Sequence, residues 1–186
     1  MNKKLKKKTL WMDTETGGFI ADKHSLLTIA LAVYDGKKVL EIREWKVKHK
    51  NYIITPGAMS QNKIDIMLHD AAAQEKNVIV KEIIQFIKEN FVEERPAIGG
   101  QNIKFDIAFI SNLFKECNEE WNEHVSHRTI DTCEVLRFMY YANKITEDVS
   151  ALDRAVKYFG IEVQGRHTAT GDILATIKIF EKLRSL

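Results

Sequence analysis

The sequence is poor in several features that would narrow its class. Among 186 residues there are two cysteines, Cys117 and Cys133, far apart and forming no CxxC pair. Neither a disulfide framework nor a thiolate metal site is therefore expected, and both thiols read as reduced in a cytoplasmic protein. No apolar run approaches the roughly 20 residues of a membrane span. The first residues also lack the apolar segment of a secretory leader, so no membrane partner is expected. Charge of one sign is missing as well: 28 Lys and Arg against 26 Asp and Glu leave a net charge of +2, which selects no class of partner. There is no GxxxxGK[ST] phosphate loop, no internal repeat and no low-complexity linker. The chain reads as one domain, residues 9–186, behind a basic stretch, residues 1–8, that gathers Lys3, Lys4, Lys6, Lys7 and Lys8. That stretch reads as a solvated tail; its functional alternative is an arm with non-specific attraction to a polyanion.

What the chain does contain is a hydrophobic pattern that changes period. Leu10, Trp11 and Met12 leading into Asp13 and Glu15, then Leu26 to Tyr34 and Val39 to Val47, predict three strands. The Asp35-Gly36 pair between the last two predicts a tight hairpin turn. Residues 51–57 read as a loop. Val78, Ile79, Ile83, Ile84, Ile87 and Phe91 then recur at helical spacing. A short strand is predicted over Pro96 to Gly100, a helix from Lys104 toward Cys117, and a short strand over Arg128 to Thr132 leading into another helix. Ser150 with Asp153 fits a capping box for a helix that Gly160 ends. The last helix is expected to start between Thr168 and Asp172 and to reach Leu183. Three strands followed by alternating helices and short strands predict an α/β domain on one mixed sheet.

Acids stand at the ends of several of these elements. Asp13 and Glu15 are two apart on a strand and so share a face. Gly17 and Gly18 follow, permitting a turn or the close approach of a ligand; the plainer reading is a solvated strand end. Asp106 comes just after the strand that ends in Gly99-Gly100, where α/β sheets place chemistry, although an acid there also suits a helix first turn. His167 and Asp172, five residues apart, would sit about 140° apart on a regular helix. They converge only if His167 lies in the preceding loop, an irregularity that Gly165 and Gly171 permit. Four carboxylates gathered with one histidine need a cation to stay ionised. All-oxygen ligands suit Mg²⁺ or Mn²⁺. Two such ions can clamp the attacking and leaving oxygens of an in-line phosphoryl displacement, with a histidine to take the proton of the attacking water.

With those residues assembled, the sequence resembles the DnaQ-like 3′–5′ exonucleases of the DEDDh group, in the ribonuclease H-like superfamily. "DTETGG" matches the family's DxET(T/G)G, "QNIKFDIAF" matches HNxxFDxxF in part, and "HTATGDILAT" matches HxAxxDAxxT. The resemblance runs from about Thr9 to Phe180, with "ITPGAMSQNKI", "RTIDTCEVLRF" and "SALDRAVKYFGI" in the family's order. It implies a five-stranded mixed sheet, its second strand antiparallel to the others, flanked by helices. It implies that Asp13, Glu15, Asp106 and Asp172 hold two divalent cations, Mg²⁺ or Mn²⁺, and that His167 is the general base. It also implies a terminal nucleotide near Thr14, Thr16, Gly17, Asn102 and Phe105. The expected substrate is the 3′ end of a nucleic acid, single-stranded, with DNA preferred over RNA and nucleoside 5′-monophosphates released.

The sequence departs from the family pattern at three positions. Gln101 stands for the histidine of the second motif, Asn62 for a histidine of an HGI segment, and Ile173 for the alanine after the last aspartate. None is an expected metal ligand or the base, so activity is expected with an altered substrate preference. The alternative is an accessory subunit of a polymerase or helicase, in replication or repair, whose main role is binding; retention of all four acids and His167 argues for catalysis. A phosphatase with a DxDxT nucleophile is disfavoured, because Glu15 and Gly17 stand where that chemistry needs aspartate and threonine. Asp131 reads as a helix cap, Trp45 and Trp121 as packing residues, and His24, His49, His69, His124 and His127 as surface residues.

Overall fold

The computed structural model describes residues 8–92 and 94–185; most of the basic N-terminal stretch lies outside them. Five strands form one sheet in the order β3-β2-β1-β4-β5. They are β1 (Thr9–Thr16), β2 (Leu26–Tyr34), β3 (Val39–Lys46), β4 (Ile98–Gly100) and β5 (Thr129–Asp131). β2 pairs antiparallel with both β1 and β3, whereas β1–β4 and β4–β5 are parallel. This is the mixed sheet expected, with its second strand reversed. The β2–β3 turn forms at Asp35-Gly36, where the Asp35 carboxylate accepts the N–H groups of Lys37 and Lys38 at 2.8 and 2.9 Å.

Helices cover both faces, which is why all nine residues of β2 are buried and read as one apolar run. On one face Leu10, Met12, Ile29, Leu31 and Val33 pack against α3 (Lys76–Asn90) and α4 (Lys104–Glu116). On the other, Trp11, Ala32 and Tyr34 meet Ile173 and Ile177 of α8 (Ala169–Leu183). A third cluster, centred on Leu136, Ile145 and Ala155, joins α6 (Thr132–Tyr141) and α7 (Leu152–Tyr158) to α8. Ile173 is fully buried against Trp11 and Ala32. The small residue on β2 makes room for the bulk on α8.

Three further helices escape the apolar periodicity: α1 (Pro56–Asn62), α2 (Ile66–Ala72) and α5 (Trp121–His124). Each is too short to display more than two turns of a stripe. α1 and α2 are instead marked by polar caps, since Thr55 accepts from Ala58 and Asp65 from Met67 and Leu68. The capping box expected at Ser150 does not form. The N-cap of α7 is Ala151, with no side-chain cap bond, and Ser150 instead donates its N–H to Asp148. His69 is buried rather than superficial, its ring against Tyr52 and its Nε2 3.3 Å from the Val47 carbonyl; of the five histidines read as superficial, His127 is exposed and His24, His49 and His124 are half-buried.

Candidate active site

The register of the sheet builds the site. Trp11, Asp13 and Glu15 alternate onto the α8 side of β1, while Met12 and Thr14 face α4. Asp13 and Glu15 thus leave the sheet at the end where α8 begins. Asp172 reaches them from the first turn of α8. One carboxylate oxygen each from Asp13, Glu15 and Asp172 lies within 4.8 Å of the other two, and all three residues are half-buried. This all-oxygen donor set is chemically suited to a hard divalent cation.

Asp106 is outside that trio. It is buried in the first turn of α4, where the Thr14 hydroxyl donates to its Oδ1 at 2.7 Å. Thr14 therefore spends its hydroxyl on orienting Asp106. The short strand β4 delivers α4 to the site, and the left-handed backbone of Asn102 makes the turn between them. Asp131 locks this turn: its carboxylate accepts from the N–H groups of Asn102 and Ile103 and also caps α6 at Cys133. The cap expected of Asp131 is present, and it anchors the Asp106 loop as well.

The loop carrying His167 is irregular in the way that convergence with Asp172 requires. His167 adopts φ +66°, and its N–H donates to Asp172 Oδ1 at 3.0 Å. A Cβ on Gly171 would lie 1.8 Å from the Gly165 carbonyl oxygen, so the loop can fold onto α8 only over a glycine. Thr168 caps the helix through Gly171 N at 3.1 Å. Arg166, unremarked in the sequence, bridges Asp172 and Asp153 with its guanidinium. Only its place beside His167 in the motif could have drawn notice to it.

The electrostatics follow from burial and like charge. Burial, then the charges of Asp106, Asp172 and Glu15, push Asp13 well above the ordinary carboxylate range. Glu15 is pushed up to about 8, first by burial and then by Asp172, Asp106 and Glu44. Asp106 rises to about 7 through burial, against the Thr14 hydrogen bond that favours its charged form. Asp172 is raised by burial and held down by Arg166 and the His167 N–H. Such a site gains from any cation that neutralises it.

Other sequence-marked residues are mostly spent on the scaffold. The Thr16 hydroxyl donates to the Gly18 carbonyl at 2.8 Å, and the Thr16 carbonyl accepts from Asn62. Gly17 is required by close packing: a Cβ there would lie 2.4 Å from the Ile53 carbonyl oxygen, and one on Gly18 would meet the His24 ring. Gln101 donates to the Ser150 carbonyl and accepts from Thr132, so it braces the segment before α7 to the start of α6. Phe105 stays half-exposed, tilted against Phe109 and edge-on to Phe19 with centroids 5.0 and 6.5 Å away. Phe19 itself is 84% exposed, leaving an aromatic edge beside Phe105.

Comparison with known proteins agrees with this fold. The "3′-5′ exonuclease DinG" of Staphylococcus aureus is 24% identical over 179 residues, covering 94% of this chain and 18% of its own. Escherichia coli exonuclease I in complex with a dT13 oligonucleotide superposes with a TM-score of 0.82 at 20% identity, over 96% of this chain and 41% of that one. Its zinc-bound complex with single-stranded DNA gives 0.83 at 21% identity, over 96% and 40%. The chain thus spans less than half the length of these proteins, and the structural likeness speaks for the fold. The family model described as Exonuclease, RNase_T, matches residues 10–180. The chain belongs to that exonuclease family, in the DnaQ-like DEDDh group of the ribonuclease H-like superfamily, a class of 3′–5′ exonucleases.

Proposed function

We propose that this protein shortens single-stranded nucleic acid from the 3′ end, DNA in preference to RNA, releasing nucleoside 5′-monophosphates. The observation that carries the reading is the meeting of Asp13, Glu15 and Asp172 within 4.8 Å, with the His167 backbone bonded to one of them. Asp13, Glu15, Asp106 and Asp172 would hold two divalent ions, Mg²⁺ or Mn²⁺, which when bound polarise the scissile phosphate and steady the charge on the attacking and leaving oxygens.

The chain's own groups do the positioning and the proton transfer. His167 takes a proton from the water that attacks phosphorus, and the bond from phosphorus to the 3′ oxygen of the preceding nucleotide breaks. That 3′ oxygen leaves with a proton, becoming the new 3′ hydroxyl. The bond from the His167 N–H to Asp172 holds the imidazole-bearing loop in register with the acids. Thr14 holds Asp106. The exposed edge of Phe19 and Phe105 offers the terminal base an apolar surface, and the backbone of Thr16 and Gly17 borders the same region. Asn102 adds an exposed amide at the mouth of the α4 turn. Replacing Asp13 or Asp172 by Asn should abolish Mg²⁺-dependent shortening while the circular dichroism spectrum is kept. Activity within tenfold of the parent in either variant would sink the site assignment.

A further inference from the structure

We infer that Arg166 is a positioning residue that holds Asp172 as a counter-charge and yields it to a divalent cation, while staying tied to Asp153. The inference rests on the function proposed above and adds what the acids give up to take an ion. Arg166 lies in the loop before α8, between Gly165 at φ +72° and His167 at φ +66°. Its side chain runs from the site to Asp153 in the first turn of α7. The guanidinium uses separate nitrogens for its two partners, Nη1 for Asp172 Oδ1 and Nη2 for Asp153 Oδ1. One bond can therefore open while the other keeps the group in place.

The two bonds are unequal. The Asp172 side chain is 15% exposed and that of Asp153 63%. Water screens the outer pair far more than the inner one, so Arg166 acts chiefly on the site. Burial raises the carboxyls of Asp13, Glu15 and Asp172, and Arg166 pulls all three back down. Among the described residues, no other side chain forms a salt bridge with any of the three. Asp172 Oδ1 also accepts the His167 N–H at 3.0 Å, so one oxygen fixes both the loop and the counter-charge. A guanidinium and a divalent ion on one carboxylate repel each other. A monovalent ion brings no more charge than Arg166 already supplies, whereas a divalent ion does. Arg166 thereby biases the trio toward doubly charged ions.

The test is calorimetric titration of Mn²⁺ into the intact protein at neutral pH, without nucleic acid. Arg166→Gln removes the competing charge and should tighten binding of the first ion about tenfold or more. Arg166→Lys keeps the charge and should stay within about threefold of the parent. Asp153→Asn leaves the guanidinium to Asp172 alone, so binding should weaken by about threefold or more. That weakening should vanish in the double variant Arg166→Gln/Asp153→Asn, where there is no guanidinium left to release. Arg154→Gln, an exposed neighbour on α7, is the control for general charge loss and should stay within about twofold of the parent. In chelator Arg166→Gln should melt below the parent, and saturating Mn²⁺ should raise its melting temperature more than the parent's. A merely structural role predicts the opposite sign, because a loop without its tether would bind Mn²⁺ more weakly. Unchanged or weaker Mn²⁺ binding by folded Arg166→Gln would overturn the inference, as would an Asp153→Asn effect of the same size in both backgrounds. Should Arg166→Gln not fold, parental Mn²⁺ affinity in Asp153→Asn would overturn it alone. Absence of Mn²⁺ uptake by the parent would instead overturn the function proposed above, and this inference with it.

Discussion

The cation-free site is predicted to cost the fold stability as pH rises, and Glu15 allows the cost to be worked out. Its carboxyl titrates near 8 in the folded protein against 4.5 ordinarily. Between those values the folded chain holds a proton that the unfolded chain has released. The contribution is therefore fully present below pH 4.5 and is lost as pH rises through about 8. At about 1.4 kcal/mol per pH unit the interval has an upper limit near 5 kcal/mol. Solvent reaches the half-buried Glu15 and screens its neighbours, which reduces this to about 2 kcal/mol. Asp106, raised to about 7, acts in the same direction. His49 and His69 act oppositely: burial lowers both, so they add stability as pH climbs toward 6.5. The informative quantity is therefore the difference between the parent and Glu15→Gln, melted in chelator from pH 5 to pH 9. The parent should lose about 4–8 °C more than the variant over that range. Mg²⁺ should restore more stability at pH 8.5 than at pH 5.5. Parallel melting curves, or a parent that gains on the variant with rising pH, would refute the electrostatic account.

Gly171→Ala places a methyl where the Gly165 carbonyl oxygen lies, so the His167 loop must move; kcat should fall about 100-fold or more with the fold retained, and a kinetic comparison with parent-like activity would contradict it. Thr14→Val leaves the buried Asp106 carboxylate without its 2.7 Å donor; urea titration should show a loss of about 1–3 kcal/mol, and calorimetry a weaker Mg²⁺ affinity. Gln101→Ala removes the brace between Ser150 and Thr132, so stability should drop by about 1–2 kcal/mol while KM for oligonucleotide is unchanged. A raised KM at parental stability would instead put Gln101 in contact with the substrate.

The residues that the sequence made legible are those whose spacing carries their geometry. Asp13 and Glu15 share a face because a strand alternates, and His167 joins Asp172 because Gly165 and Gly171 allow a bent loop. The five-stranded mixed sheet with its second strand reversed was implied by the resemblance and is present in the structure. What stayed hidden depends on contacts between distant segments. The Gly17-Gly18 pair suggests room for a ligand, yet the neighbours that forbid a side chain there are Ile53 and His24. Gln101, read as a departure from the family's second motif, is bonded to Thr132 at the start of α6 and to Ser150, 31 and 49 residues away in sequence. Glu44 comes to act on Glu15 only through the β2–β3 register, which alternation alone does not fix. The short helices α1 and α2 were lost to periodicity for want of length.

The central claim is that the Asp13, Glu15, Asp106, His167 and Asp172 set performs stepwise hydrolysis from a 3′ end. The most direct measurement is digestion of a 5′-labelled single-stranded DNA in Mg²⁺, with products resolved by length and the released fragments identified by mass. The account predicts a ladder shortening one residue at a time, release of nucleoside 5′-monophosphates, and no ladder with His167→Ala. Internal cuts, release of 3′-monophosphates, or an undiminished ladder from His167→Ala would contradict it.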